Sequence, residues 1–122
     1  LDARILIVDD DHSLRRSLAR LLRAHGYGVI EGESAKDALR LAREQAPVVI
    51  VIDLLMPGRS GVEAAIDLKT DAATAHIPLI ALTASQMPLE IDRTLFAQTL
   101  AKPCPPGALL QAIELAQRQS AP

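Results

Sequence analysis

Short aliphatic runs alternate along the chain with longer stretches of helical period. The first run covers 4–8 and is followed at once by three acids, Asp9, Asp10 and Asp11. A helix is predicted over 12–25, because Leu14, Leu18, Leu21 and Leu22 recur on one face and Gly26 can stop it. Arg15, Arg16, Arg20 and Arg23 fall mostly elsewhere on this helix and read as a solvated face. A weak strand over 28–31 precedes a helix over 34–45, with Ser34 as N-cap and Asp37 in its first turn. The clearest strand is 48–52, five β-branched residues with no polar break, which suits a strand buried on both faces. After the turn chemistry of Met56-Pro57-Gly58, a helix starts at Ser60 or Gly61 and reaches Thr70. A strand over 78–82, a short helix around 89–96, a strand near 99–101 and a helix over 106–119 complete the pattern. Leu109, Leu110, Ile113 and Ala116 form the inner face of that last helix. Five β/α units in this order predict a parallel sheet covered by helices on both sides.

Composition narrows the picture. The 122 residues fit one domain, 1–122, with no repeat and no linker. Hydrophobic residues make up 49% and charged residues 23%, with a net charge of -2, which excludes a disordered chain. Aromatics are only 2%, and with no basic excess the chain lacks both the stacking platforms and the phosphate footprint of a nucleic-acid binder. No run approaches the roughly 20 apolar residues of a membrane helix, and no signal peptide is visible. The single cysteine, Cys104, excludes an internal disulfide and a cysteine-based zinc site. A reduced, cytoplasmic domain is the expectation.

In a parallel sheet all strands point the same way, so the residues just past the strand ends share one edge, where ligands of open α/β folds bind. Those positions hold Asp9 and Asp10, then Asp53, then Thr83, then Lys102. Carboxylates gathered together repel one another and raise each other's pKa unless a cation joins them. An oxygen-only set of this kind suits Mg2+, which keeps several waters and completes its octahedron with phosphate. Lys102 and the Thr83 hydroxyl can then neutralise and hydrogen-bond a phosphoryl group.

The strings Ile7-Val8-Asp9-Asp10, Asp53-Leu54-Leu55-Met56-Pro57-Gly58, Ala81-Leu82-Thr83-Ala84 and Lys102-Pro103 resemble the receiver domain of bacterial two-component response regulators. The resemblance spans nearly the whole chain, with its four motifs in order at strand ends. It implies a flavodoxin-like three-layer α/β fold, a five-stranded parallel sheet of order 2-1-3-4-5 and about five helices. It also implies that Asp53 accepts a phosphoryl group from a phosphohistidine of a histidine kinase or phosphotransfer domain. Asp10, Asp53 and the main-chain carbonyl of Leu55 would hold Mg2+, with Asp9 acting through water. Lys102 would pair with Asp53 and then with the phosphate, Thr83 would turn inward to it, and Ala84 would leave it room. The Lys102-Pro103 bond is similar to one that is cis in the family. An effector domain or downstream protein and a homodimer are the further partners implied, with no direct nucleic-acid or membrane contact. The domain would catalyse its own phosphorylation and later hydrolysis.

Each residue alone has an ordinary explanation. Asp11 suits the cap of the first helix, Asp53 a loop acid, Thr83 an N-cap and Lys102 a surface cation; their joint place at one sheet edge is what points to chemistry. His12, His25 and His76 lack metal-ligand spacing, and Gly26, Gly28 and Gly32 do not form a dinucleotide fingerprint. Cys104 reads as a small, partly buried residue. Two departures from the family stand out: the interval from Thr83 to Lys102 is short, and Thr99 replaces the usual aromatic, so the readout of the switch differs from the common one. Two other readings remain beside the phosphoacceptor: a receiver-like interaction module that works without phosphorylation, and a Mg2+-dependent phosphatase. The phosphatase is disfavoured because Leu55 stands where that chemistry needs a second Asp.

Overall fold

The structure, a computed structural model, describes residues 3–55, 61–83 and 93–120. The elements run β1 (Arg4–Val8), α1 (His12–Ala24), β2 (Gly28–Gly32), α2 (Ala35–Gln45), β3 (Val49–Asp53), α3 (Gly61–Thr70), β4 (Leu79–Thr83), a single 3-10 turn (Arg93–Leu95), β5 (Gln98–Ala101) and α4 (Pro106–Ser120). All strand pairs are parallel, in the order β2-β1-β3-β4-β5. The expected sheet is therefore present, with four α-helices and a 3-10 turn among the described residues where about five helices were expected. The first half of the helix expected at 89–96 lies outside the described residues; in its second half stands that 3-10 turn.

Period-two alternation divides the core between the two faces of the sheet. Leu6, Val8, Ile50, Ile52, Leu79 and Ala81 point to one side, where Ala38 and Leu41 of α2 and Ala65 and Leu68 of α3 cover them. Ile5, Ile7, Val49, Val51, Ile80 and Leu82 point to the other, against Leu18 and Leu22 of α1 and Leu109 and Ile113 of α4. The two outer strands, β2 and β5, are only partly buried, which explains why their sequences read weakly. Val48, expected inside the third strand, precedes it and is 37% exposed, and the strand instead continues through Asp53.

Local signals behave as the sequence suggested. Asp11 caps α1 by accepting from the Leu14 N–H at 3.0 Å, and Ser34 caps α2 by accepting from the Asp37 N–H at 3.3 Å. Gly26 ends α1 with φ +91. Ala46 closes α2 with φ 46, an uncommon conformation for a residue with a Cβ. Gly61 is required where it stands: a Cβ there would lie 2.1 Å from the Asp53 carbonyl oxygen and 2.7 Å from Leu54 Cα. The start of α3 thus packs directly on the backbone that carries Asp53.

One expectation about α1 is overturned. Its buried face is Arg15, Leu18, Ala19 and Leu22, with Leu14 and Leu21 at its margins, so Arg15 is part of the interior and not of a solvated face. Among the described residues no helix is long and apolar enough to cross a membrane.

Candidate phosphoryl and metal site

β1 and β3 are adjacent, while the chain leaves β1 toward β2 on its other side, so the direction of winding reverses between them. In such sheets the crevice beyond the strand ends at this reversal is the usual ligand site. Here Asp9 follows β1 and Asp53 ends β3, both essentially buried, while Asp10 is exposed. One carboxylate oxygen from each of Asp9, Asp10 and Asp53 can be chosen so that all lie within 4.8 Å of one another. Thr83 ends β4 and is buried.

Lys102 follows the edge strand β5, and its ammonium lies between two of the acids. Nζ is 3.1 Å from Asp9 Oδ2 and 3.1 Å from Asp53 Oδ2. The Lys102 N–H donates to the Thr83 carbonyl at 2.7 Å, which extends the β4–β5 register and aims the lysine back over the sheet edge. The Lys102-Pro103 peptide is cis, as the family resemblance implied. The other carboxylate oxygens receive main-chain donors: Leu55 N–H reaches Asp53 Oδ1 at 3.1 Å, and Asp11 N–H reaches Asp9 Oδ1 at 2.9 Å.

Among the described residues three carboxylates gather around one ammonium, and the electrostatics reflect that imbalance. Burial raises the Asp53 pKa, and the neighbouring Asp9 charge adds to the rise, outweighing the Leu55 N–H and Lys102, which act to lower it. Burial opposes the charge on Lys102, but its bonds to Asp9 and Asp53 prevail and hold its pKa above the ordinary value. The pocket fits a further small cation: among the described residues its carboxylate donors are all oxygen, two of its acids are buried, and both share the Lys102 ammonium.

The structure thus brings Asp9, Asp10, Asp53, Thr83 and Lys102 to one edge, with Leu55 beside them and 63% exposed. Ala84, expected beside the phosphate, lies outside the described residues. Thr99 is exposed on β5. Next to the acids is a cavity of about 360 Å3 whose wall includes Leu14, Leu18, Leu82, Pro103 and Cys104. Burial pushes the Cys104 thiol pKa up, which keeps it from the reactive thiolate form.

Two residues near the site escaped the reading of the sequence. Arg15 is 3% exposed and donates to the Asp9 carbonyl. Its spacing from Leu18, Ala19 and Leu22 was the available signal, since 15, 18, 19 and 22 form one helical stripe. Gly61 was legible as a helix start but not as the contact that seats Asp53.

The chain is similar to known proteins in sequence and in fold. The response regulator receiver domain family matches residues 5–114. Protein PilH of Pseudomonas aeruginosa is 42% identical over 81 residues, which is 66% of this chain and 67% of PilH. Histidine kinase P4 of Formosa agariphila is 42% identical over 79 residues, 65% of this chain but only 6% of that protein. The structure of chemotaxis response regulator CheY4 of Vibrio cholerae superposes with a TM-score of 0.86 at 26% identity, covering 95% of this chain and 99% of CheY4. Receiver domains of this kind typically bind Mg2+ at an acidic pocket and interact with histidine kinases and effectors. Set against these relatives, an interaction module that dispenses with phosphorylation is not the favoured reading. Fold, acidic pocket and relatives agree: the chain belongs to the response regulator receiver domain family, the phosphoacceptor unit of two-component signal transduction.

Proposed function

We propose that Asp53 is the residue that takes the phosphoryl group and that residues 1–122 act as one receiver unit in the cytoplasm. The observation that carries this reading is the shared ammonium of Lys102, 3.1 Å from both Asp9 and Asp53 in a pocket short of positive charge. Such a pocket favours any event that brings a cation in.

Asp10 and Asp53 would hold Mg2+ through their carboxylates and Leu55 through its main-chain carbonyl, with Asp9 acting through a water. When bound, the ion would supply charge neutralisation for the transferring phosphoryl oxygens and would favour the ionised form of Asp53. An Asp53 oxygen attacks phosphorus, the P–N bond to the partner's histidine breaks, and the imidazole leaves with the electron pair. The Leu55 N–H, already on Asp53 Oδ1, keeps the second oxygen from competing. Lys102 moves its hydrogen bonds from the acids to the new phosphoryl oxygens, and Thr83, at the end of β4, donates its hydroxyl to the same group. Hydrolysis of the aspartyl phosphate by water at this pocket restores the starting state.

The donor is a histidine kinase or phosphotransfer domain, and the apolar recess beside Lys102 and α1 gives its histidine-bearing segment a place to rest. The output is an effector domain, a downstream protein or a second copy, with neither nucleic acid nor membrane touched directly. Readout differs from the common pattern, because the exposed Thr99 has no ring to move between outer and inner positions.

Incubation with acetyl phosphate and Mg2+ followed by mass spectrometry tests the assignment. An adduct of one phosphoryl group is expected, lost on hydroxylamine treatment and missing in Asp53→Asn. An unchanged adduct in Asp53→Asn would move the acceptor elsewhere.

A further inference from the structure

We propose that Arg15 is a positioning residue for the metal site: its guanidinium ties the Asp9–Asp10 peptide to β2 and so sets the affinity for Mg2+. The inference rests on the reading of Asp10 and Asp53 as metal ligands.

Arg15 is 3% exposed, although it stands in the first turn of a helix at the rim of the domain. Its donors are spent on three sides. Nε donates to Glu31 Oε1 at 3.0 Å, one terminal nitrogen donates to the Asp9 carbonyl oxygen at 2.8 Å, and the other donates to His12 Nδ1 at 2.9 Å. Glu31 is itself held by Arg16 at 3.6 Å and Arg23 at 4.0 Å, so the anchor on β2 is well fixed. A buried guanidinium is costly to desolvate, and an apolar side chain would fill this helical stripe more cheaply. What the arginine adds is a bond to one main-chain atom of the acidic loop.

That atom matters because of where it lies. The Asp9 carbonyl belongs to the peptide that leads into Asp10, whose carboxylate is exposed and has no comparable packing to orient it. Asp9 is otherwise pinned: its N–H donates to the Gly32 carbonyl at 3.1 Å, and its carboxylate takes Asp11 N–H and Lys102. Arg15 holds the remaining group, so the direction of the next residue is set by a planar fork bridging two strands. Partners that orient metal ligands without touching the metal are typically worth about 10–100-fold in affinity.

Charge alone argues the opposite sign. A positive group near a cation site weakens cation binding, so its removal would tighten Mg2+ if position were irrelevant.

Titration calorimetry of Mg2+ into wild type, Arg15→Met and Arg15→Lys separates the two. A weakening of about tenfold is expected in both variants, because lysine keeps the charge but cannot bridge Glu31 and the Asp9 carbonyl. Metal-free NMR spectra should show the Asp10 and Asp11 amides displaced in both. Ala19→Gly, one turn on in the core of the same helix, should lower stability yet bind Mg2+ within about twofold of wild type. Circular dichroism checks folding, and Arg15→Lys decides if Arg15→Met fails to fold. Unchanged or tighter binding in Arg15→Met, wild-type affinity in Arg15→Lys, or equal weakening in Ala19→Gly overturns the inference while leaving the metal site standing. A wild-type chain that binds no Mg2+ overturns the metal-site assignment and this inference together.

Discussion

Lys102→Met removes the one ammonium that two buried carboxylates share. Each contact is 3.1 Å, and at an effective dielectric of about 20 a pair at that distance is worth about 5 kcal/mol of Coulomb attraction. Desolvation of the ammonium offsets much of this, since the lysine side chain is only 21% exposed. Breaking a buried pair while leaving the other charge in place typically costs about 3–5 kcal/mol. Because Lys102 keeps some solvent contact, the lower end applies, and the variant should lose about 3 kcal/mol at neutral pH without metal.

The pH dependence follows from the shifts. Lys102 has a raised pKa in the folded chain, so its contribution is complete below the ordinary lysine value of 10.5 and is lost as pH rises through the folded value. On the acid side the penalty in Lys102→Met should shrink as pH falls and Asp53, whose carboxyl pKa burial already pushes up, takes a proton. Urea unfolding followed by circular dichroism at a series of pH values measures this directly. A loss below about 1 kcal/mol at pH 7, the size of an exposed ion pair, would refute the reading of Lys102 as the shared counterion. So would a loss of the same size at pH 3 and pH 7.

Other outcomes follow from the same structure. Asp53→Asn should stabilise the metal-free chain at pH 7, because burial and Asp9 both raise the pKa of Asp53; the advantage should fade as pH drops toward 3.8, where wild type is protonated as well. Saturating Mg2+ should reverse the ranking, since the ion stabilises wild type by mass action, and thermal melts with and without EDTA would show it. Ala46→Gly relieves the φ of 46 at the end of α2 and should raise stability by about 0.5–1 kcal/mol, seen as a melting temperature about 2–5 °C higher. Gly61→Ala forces a Cβ against the Asp53 carbonyl and should cost at least about 2 kcal/mol in urea unfolding while slowing adduct formation from acetyl phosphate.

The strands show how far sequence reasoning reaches. Expected and observed bounds differ by one residue at most ends, because a run of β-branched residues between polar punctuation is a local signal. Val48 and Asp53 exchange roles at the ends of β3, since register is chosen by the partner strands β1 and β4 and not by hydrophobicity. Arg15 was misplaced for a related reason. A charged side chain on a helix is normally solvated, and only the presence of Glu31 and the Asp9 carbonyl beside it makes burial tolerable.

What the sequence determined by itself was the alternation of strands and helices, their caps, and the set of polar residues at the strand ends. All of these follow from spacing within a few residues. The family resemblance implied the order β2-β1-β3-β4-β5, which the strand pairings bear out; only the tertiary structure decided the close approach at Gly61 and the single ammonium shared by two acids. Lys102 is 93 residues from Asp9 along the chain, and no local pattern encodes a distance of 3.1 Å between them. That distance comes from the sheet, whose parallel register sets every strand end against one edge and leaves the charges there to find their balance.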